Sequence, residues 1–395
     1  MMARKLMTVI LLSALGLCCD AGAPGGRKGK PLGEWKKGWM DIHAVNSARG
    51  ECTFFVMPDG TTMVVDAGEF FDWTPSAYPC VAPKPSRDVR PYKVYADYIR
   101  HFMPAAADSI DYFVVTHYHM DHMGHPEASF AKDSDGGYAL SGVTALYDEI
   151  PYRTLLDRSW PDYSEAVKTG GTGNISFYSD FVRWCSRNRG LKVEKFDVGS
   201  SSQIGLLHDA DRYPGFKVTN YAGGGRVFDG EKTYEMDIDR ENGLSCTFLV
   251  TYGPFEYFTS GDGNAGKSVK TVAAGIGHPI EAMKSHHHMS NPDSFFAENS
   301  VLKPRVIVTQ SFYVRTIQPH QEIIKAIASS QDLFFTNIDS SLAESEPELY
   351  SECRGMNGHF VIRVARGGKR FWVFRLDDTD TEYRVKDIYG PYKSE

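Results

Sequence analysis

The sequence predicts an α/β chain folded as a four-layer αβ/βα sandwich, with two β-sheets face to face and helices outside. Three observations point there. Apolar strand-like runs followed by a helical pattern occur once in each half of the chain, without an internal repeat. Asp59-Gly60 and Tyr252-Gly253-Pro254 separate paired apolar runs and mark hairpin turns. A histidine-rich run stands just past a continuous apolar stretch of strand length, where a sheet opens into a loop.

The elements follow in order. Apolar runs 39–45, 52–57 and 62–65 form an antiparallel meander. Residues 92–102 carry Tyr92, Val94, Tyr95, Tyr98, Ile99 and Phe102 at helical spacings, and 110–115 reads as a buried strand. From about 136 to 230 the pattern weakens to one amphipathic helix, 176–189, and strands near 191–198 and 216–221; this part reads as partly scaffold, partly insertion. The pattern returns in 245–251 and 255–259, a hairpin ending at Gly261-Asp262-Gly263. A strand at 306–308, a helix at 318–328 and a closing hairpin of 360–364 with 370–375 around Gly367-Gly368 complete one domain from about residue 36 to the C-terminus.

Of 395 residues, 42% are hydrophobic and 24% charged, enough for a substantial core. The net charge of −7, with no long basic stretch, argues against binding long nucleic-acid duplexes. At the N-terminus Arg4 and Lys5 precede the apolar run 6–17, too short to span a bilayer, so 1–23 reads as an export signal. Cleavage after Ala21-Gly22-Ala23 competes with lipidation at Cys18 or Cys19; both routes place the protein outside the cytoplasm, periplasmic, secreted or lipid-anchored, with no membrane contact beyond the anchor. Residues 24–35, rich in Gly, Pro and Lys, read as a flexible tether. Cysteines 52, 80, 185, 246 and 353 form no CxxC pair, so no cysteine metal site is expected, and their odd number leaves at least one unpaired within the chain.

The chemistry concentrates in His117-Tyr118-His119-Met120-Asp121-His122. Two imidazoles two residues apart on a tight turn can converge on one ion, while Asp121 and His122 turn toward a second. Two ions about 3.5–4 Å apart can clamp an attacking water and a leaving oxygen. A single histidine among apolar residues would read as a satisfied structural histidine; strict spacing separates this run from that case.

The run resembles the HxHxDH signature of the metallo-β-lactamase superfamily, and Asp66-Ala67-Gly68 resembles its early Asp-x-Gly turn. Residues 41–45, 52–60 and 64–68, the paired strands ending in Gly261-Asp262, and Ser285-His286-His287-His288-Met289-Ser290 are similar to the hydrolase domain of the DNA-uptake competence protein ComEC, whose corresponding segment reads His-His-Gly-Ser. The resemblance spans roughly 36–376. It implies a metallo-β-lactamase sandwich in which His117 and His119 bind one ion, Asp121 and His122 the other, and Asp262 bridges them. It also implies that the closing ligand lies in 286–288, with His287 in the best register and His286 and His288 as alternatives, and that Asp66 orients a ligand. His208 is the only histidine between His125 and His278 and thus the one candidate for an additional first-ion ligand. The chain departs from the pattern at Gly124-His125, usually Gly-Gly, and at Met289, where the branch has Gly; both are expected to bulk up the rim of the site.

The implied cofactor is a pair of divalent ions, zinc first and manganese second, and the implied reaction is hydrolysis by metal-activated water, with Asp121 among the catalytic groups. Resemblance favours a phosphodiester, and the acidic balance favours a small phosphodiester or short strand over a long polyanion. Lys284 reads either as a phosphate contact or as a solvated surface lysine. A zinc β-lactamase is the rival enzyme, although the commonest ones carry Cys where Asp262 stands. The rival of another class is a non-catalytic surface protein using the aromatic segments 70–73 and 160–163 for recognition.

Overall fold

The apolar runs pair into two nine-stranded sheets in the computed structural model, which describes residues 24–70, 79–164 and 175–395. The leader expected at 1–23, with Cys18 and Cys19, and most of the aromatic segment 70–73 lie outside the described residues. The first sheet runs, in spatial order, Val385–Lys393, Arg370–Leu376, His359–Val364, Met40–Ala44, Thr53–Val56, Thr62–Val65, Ile110–Val114, Tyr152–Asp157 and Lys192–Lys195. Its pairings are antiparallel as far as Thr62–Val65 and parallel beyond. The second sheet runs Gly355–Met356, Asp332–Phe335, Val306–Thr309, Ala282–Lys284, Phe255–Thr259, Thr247–Tyr252, Phe216–Gly223, Arg226–Phe228 and Thr233–Glu235. Its first five strands are parallel and the remaining pairings antiparallel.

Three buried layers of apolar side chains account for the four-layer stack. Between the sheets lie Ile42, Phe55, Met63, Phe248, Tyr257 and Phe360. Outside the first sheet pack the helices Pro91–Phe102, Val143–Glu149 and Ser176–Asn188, through residues such as Tyr95, Ile99, Leu146 and Phe181. Outside the second pack Gly266–Ile276, Pro292–Leu302 and Gln321–Ile327, through Val272, Phe295 and Ile324. The middle layer draws on both halves of the chain, and the C-terminal strands return to the first sheet, so there is no division near residue 230.

Several elements differ from expectation. The stretch 136–230 contributes two strands to each sheet, Tyr152–Asp157 and Lys192–Lys195 to one and Phe216–Gly223 and Arg226–Phe228 to the other, and so is largely scaffold. The predicted helix 318–328 begins only at Gln321, after Pro319, with His320 as its N-cap accepting from Glu322 N–H. The tether expected at 24–35 is anchored. Gly29 N–H donates to Val385 O at 2.8 Å, Val385 N–H donates to Lys30 O at 2.9 Å, and Leu32 is buried in the outer core. Arg363, buried and paired with Asp41, also donates to Gly33 O at 2.8 Å, so this segment satisfies a guanidinium that otherwise has no route to water. The five described cysteines are free thiols. Trp160 and Tyr163 pack against the outer core, Tyr163 donating to Asp157, rather than forming a recognition surface.

The loops at the carboxyl ends of four strands meet on one rim. Asp66 follows Thr62–Val65, His117 follows Ile110–Val114, Asp262 follows Phe255–Thr259 and the histidine triplet follows Ala282–Lys284. Tyr95, on the buried face of its helix, holds two of the approaching backbones, donating toward Gly68 O (2.9 Å) and Gly50 O (3.1 Å). Gly68 is required there by proximity: a Cβ would stand 1.9 Å from Asp121 O. Four backbone bonds then lace the loops together: Glu51 N–H to Asp121 O, Ala67 N–H to His122 O, Gly68 N–H to Glu51 O and Glu69 N–H to Met120 O.

Candidate metal centre

Two groups of ligand atoms form on this rim, and Asp262 belongs to both. Ligand atoms of His117, His119 and Asp262 lie within 4.8 Å of one another, as do those of Glu51, His122, Asp262 and His288. His117 Nε2 stands 3.1 Å from His119 Nδ1 and 3.9 Å from Asp262 Oδ2. On the other side His122 Nε2 is 3.2 Å from Asp262 Oδ1, and His288 Nε2 is 3.1 Å from Asp121 Oδ2 and 3.5 Å from Asp262 Oδ2. Asp121 lies in the first turn of the short helix Met120–Met123, its side chain 13% exposed, at the edge of the cleft.

The partners behind the imidazoles determine which nitrogen faces inward. His122 Nδ1 donates to Asp66 Oδ2 at 2.7 Å, and Asp66 is itself held by Thr116 N–H and Oγ1 at 2.8 and 2.7 Å. His288 Nδ1 donates to Gln310 O at 3.0 Å and lies 2.9 Å from Glu51 Oε1. Both Nε2 atoms are thereby turned toward Asp262. Among buried atoms without a hydrogen-bond partner are His122 Nε2 and Asp262 Oδ1, which face each other at 3.2 Å. A cation between them satisfies both. Imidazole nitrogens with carboxylate oxygens form a donor set suited to zinc, and the residues present fit a divalent metal centre.

Charge points the same way. Four carboxylates gather here: Glu51 and Asp262 lie 2.9 and 3.9 Å from the Lys284 ammonium, Asp66 pairs with His122 and Asp121 with His288. Burial opposes ionisation of Asp262, yet the His122 and His288 imidazoles hold it well below the usual carboxylate range. Burial opposes ionisation of Asp121 too, and His122 and His288 bring it down to about 2. Conversely, burial would lower His122 and His288, but the carboxylates, Asp262 foremost, raise both well above 6.5. His117 is lowered by burial and by His122 and His119, which leaves a neutral imidazole ready to ligate.

Raised histidines give a pH dependence whose sign follows from linkage. In the metal-free protein, the stability contributed by His122 and His288 is fully present below their unfolded value near 6.5 and is lost as pH rises through their elevated folded values. Metal-stripped protein should therefore melt at progressively lower temperature above about pH 6.5, whereas zinc-loaded protein should not, its ions replacing those protons. Thermal melts from pH 6 upward, with and without chelator, check this; parallel pH profiles for the two forms would contradict it.

Other sequence-predicted residues lie elsewhere. His287, the expected closing ligand, stands outside both clusters: Nδ1 is 2.6 Å from Asn291 Oδ1, and Nε2 is 3.2 Å from Asn242 Nδ2 and 3.8 Å from Asp262 Oδ2. The reason is backbone: His287, His288 and Met289 have φ of 45°, 52° and 61°, so the loop coils left-handed and presents His288. His286 is buried beside Glu298, with Nδ1 3.3 Å from its Oε2. His208 is no ligand of either cluster; it sits by Asp59 and Asp111, with a half-exposed ring. Lys284, 4% exposed, is a buried lysine rather than a surface one: it donates to Gly261 O at 2.7 Å and pairs with Glu51 at 2.9 Å. Met289 fills the outer core rather than the rim. Glu51 was not singled out from the sequence; it lies on the Nδ1 side of both His122 and His288, behind the ligand nitrogens.

The cleft over the clusters, about 480 Å³, is lined by His119, Asp121, Asp262, His287, Tyr313 and Arg315 among others, and among the described residues Arg315 is its one Lys or Arg side chain. No family model matches the chain, and no curated protein matches it. Solved structures similar to it include unliganded yeast PDE1 (11% identity, TM-score 0.37, 82% of this chain and 99% of that one). Zn²⁺-bound PqqB from Methylobacterium extorquens is also similar (12%, TM-score 0.32, 81% and 96%). So is a metal-dependent hydrolase from Parabacteroides distasonis (11%, TM-score 0.30, 75% and 97%). These likenesses are distant, and the chemistry rests on the chain's own side chains.

Proposed function

We propose that the chain is a metal-dependent hydrolase of metallo-β-lactamase type, acting on a small phosphodiester. The observation that carries this reading is one carboxylate, Asp262, shared by two ligand clusters in a cleft whose wall carries a guanidinium. Bound there, two divalent ions would supply Lewis acidity, drawing the pKa of a water down toward about 7 and neutralising charge on the scissile group. His117 and His119 would hold one side and Asp121, His122 and His288 the other. Asp66 and Glu51 orient the imidazoles from behind, and Lys284 offsets the buried carboxylates from within the protein. Arg315, which donates to Gln318 Oε1 at 3.1 Å and lies over the Tyr313 ring, is the cleft's cation for an anionic substrate. The leader expected at 1–23 supports an exported site of action.

The test is zinc- or manganese-loaded protein against chromogenic phosphodiester, phosphomonoester, thioester and β-lactam substrates; the proposal fails if the phosphodiester is not the best of them. Arg315→Ala should raise KM for a phosphodiester about tenfold or more, corresponding to a lost charge-assisted contact, while thioester hydrolysis should change little. Steady-state kinetics on both substrates check it.

A further inference from the structure

We propose that a second pocket, beside the metal cleft at Asn242, is a subsite for the hydroxyl groups of a neutral sugar-like substituent on the phosphate. This deepens the phosphodiester reading and rests on it. The pocket, about 390 Å³, is formed by segment 237–243 with Asn264 and Ala265 and shares Asn242, His287 and Asn291 with the metal cleft. Its size falls in the range of small-ligand sites, and it adjoins the metal cleft at those three shared residues.

Its chemistry selects the occupant. Asn242 Nδ2 is engaged with His287 Nε2 at 3.2 Å, while Asn242 Oδ1 is buried without a hydrogen-bond partner, an acceptor in need of a donor. The neighbouring Glu241 fixes its place: it accepts from Tyr118 N–H at 2.9 Å and from Arg158 Nη2 at 2.5 Å, tying this segment to the loop of His117 and His119. Asn264 and Asn291 add amide groups, and among the described residues no Phe, Tyr or Trp lines the pocket to stack a base. Hydroxyl groups, donors and acceptors at once, match such a lining. Charge sets the limit: Asp237 and Asp239 against Arg240 leave the pocket net negative, so a second phosphate is repelled where a neutral group is admitted. The substrate is thus one phosphate over the metal centre with a sugar or polyol beside it, drawn from a free sugar or a nucleotide.

Calorimetry on the zinc-loaded full chain tests this with inorganic phosphate, ribose 5-phosphate, adenosine 5′-monophosphate and ribose 1,5-bisphosphate. Ribose 5-phosphate should bind at least about tenfold tighter than phosphate, and the bisphosphate more weakly than ribose 5-phosphate. Equal binding of the nucleotide points to a free sugar as source, and tighter binding to a nucleotide; both support the subsite. Asn242→Ala should bring ribose 5-phosphate and phosphate within about threefold of each other, and Asp237→Asn with Asp239→Asn should strengthen bisphosphate binding. Ribose 5-phosphate binding no tighter than phosphate overturns the subsite. Phosphate binding with that outcome leaves the hydrolase reading standing, whereas absence of both phosphate binding and phosphodiester hydrolysis sinks that reading as well.

Discussion

Asp262→Ala should strip both ions from the protein and lower phosphodiester turnover by about a thousandfold or more, since several kcal/mol of charge stabilisation vanish at roughly 1.4 kcal/mol per tenfold. One side chain has this reach because its oxygens serve both clusters, Oδ1 at 3.2 Å from His122 Nε2 and Oδ2 at 3.5 Å from His288 Nε2 and 3.9 Å from His117 Nε2. Its removal also leaves buried imidazoles without their main counter-charge, so the metal-free fold is at risk. Asp262→Asn, isosteric and neutral, separates the effects: it should fold, as circular dichroism reports, yet hold ions weakly. Metal analysis and turnover on the same samples check both variants; retention of two ions by Asp262→Ala would remove Asp262 from its bridging role.

Asp121→Ala should behave differently, keeping about one ion and losing most activity. Asp121 approaches only the cluster of His122 and His288, whereas His117, His119 and Asp262 remain in place for the other ion. With a single ion the attacking water and leaving oxygen are no longer clamped together, a loss of roughly a hundredfold or more in turnover. By contrast, His117→Ala or His119→Ala should lower metal content and turnover together. Near wild-type turnover in Asp121→Ala on every substrate would rule out a two-ion mechanism.

The sequence made the sandwich legible because both its signals are local: apolar runs of strand length, and turns such as Asp59-Gly60 between them. The strand Val385–Lys393 escaped notice because it lies at a sheet edge, where exposed positions dilute the apolar pattern. At the site, residues in a short run with fixed spacing could be read as a unit, which is how His117, His119, Asp121 and His122 stood out. Glu51 carries no such spacing, and only the bonding of its loop to Asp121 brings it behind His122 and His288. The choice between His287 and His288 depended on three successive left-handed residues, a conformation unexpected for non-glycine side chains. Burial of Lys284 was hidden for a related reason, since its partners Glu51 and Gly261 are distant in sequence.

Anomalous diffraction from crystals of the zinc-loaded protein, collected at the zinc edge, tests the central claim most directly. Two peaks about 3.5–4 Å apart, one beside His117 and His119 and one beside Asp121, His122 and His288, with Asp262 between them, is the predicted result. A single peak, or ions held away from Asp262, would contradict it.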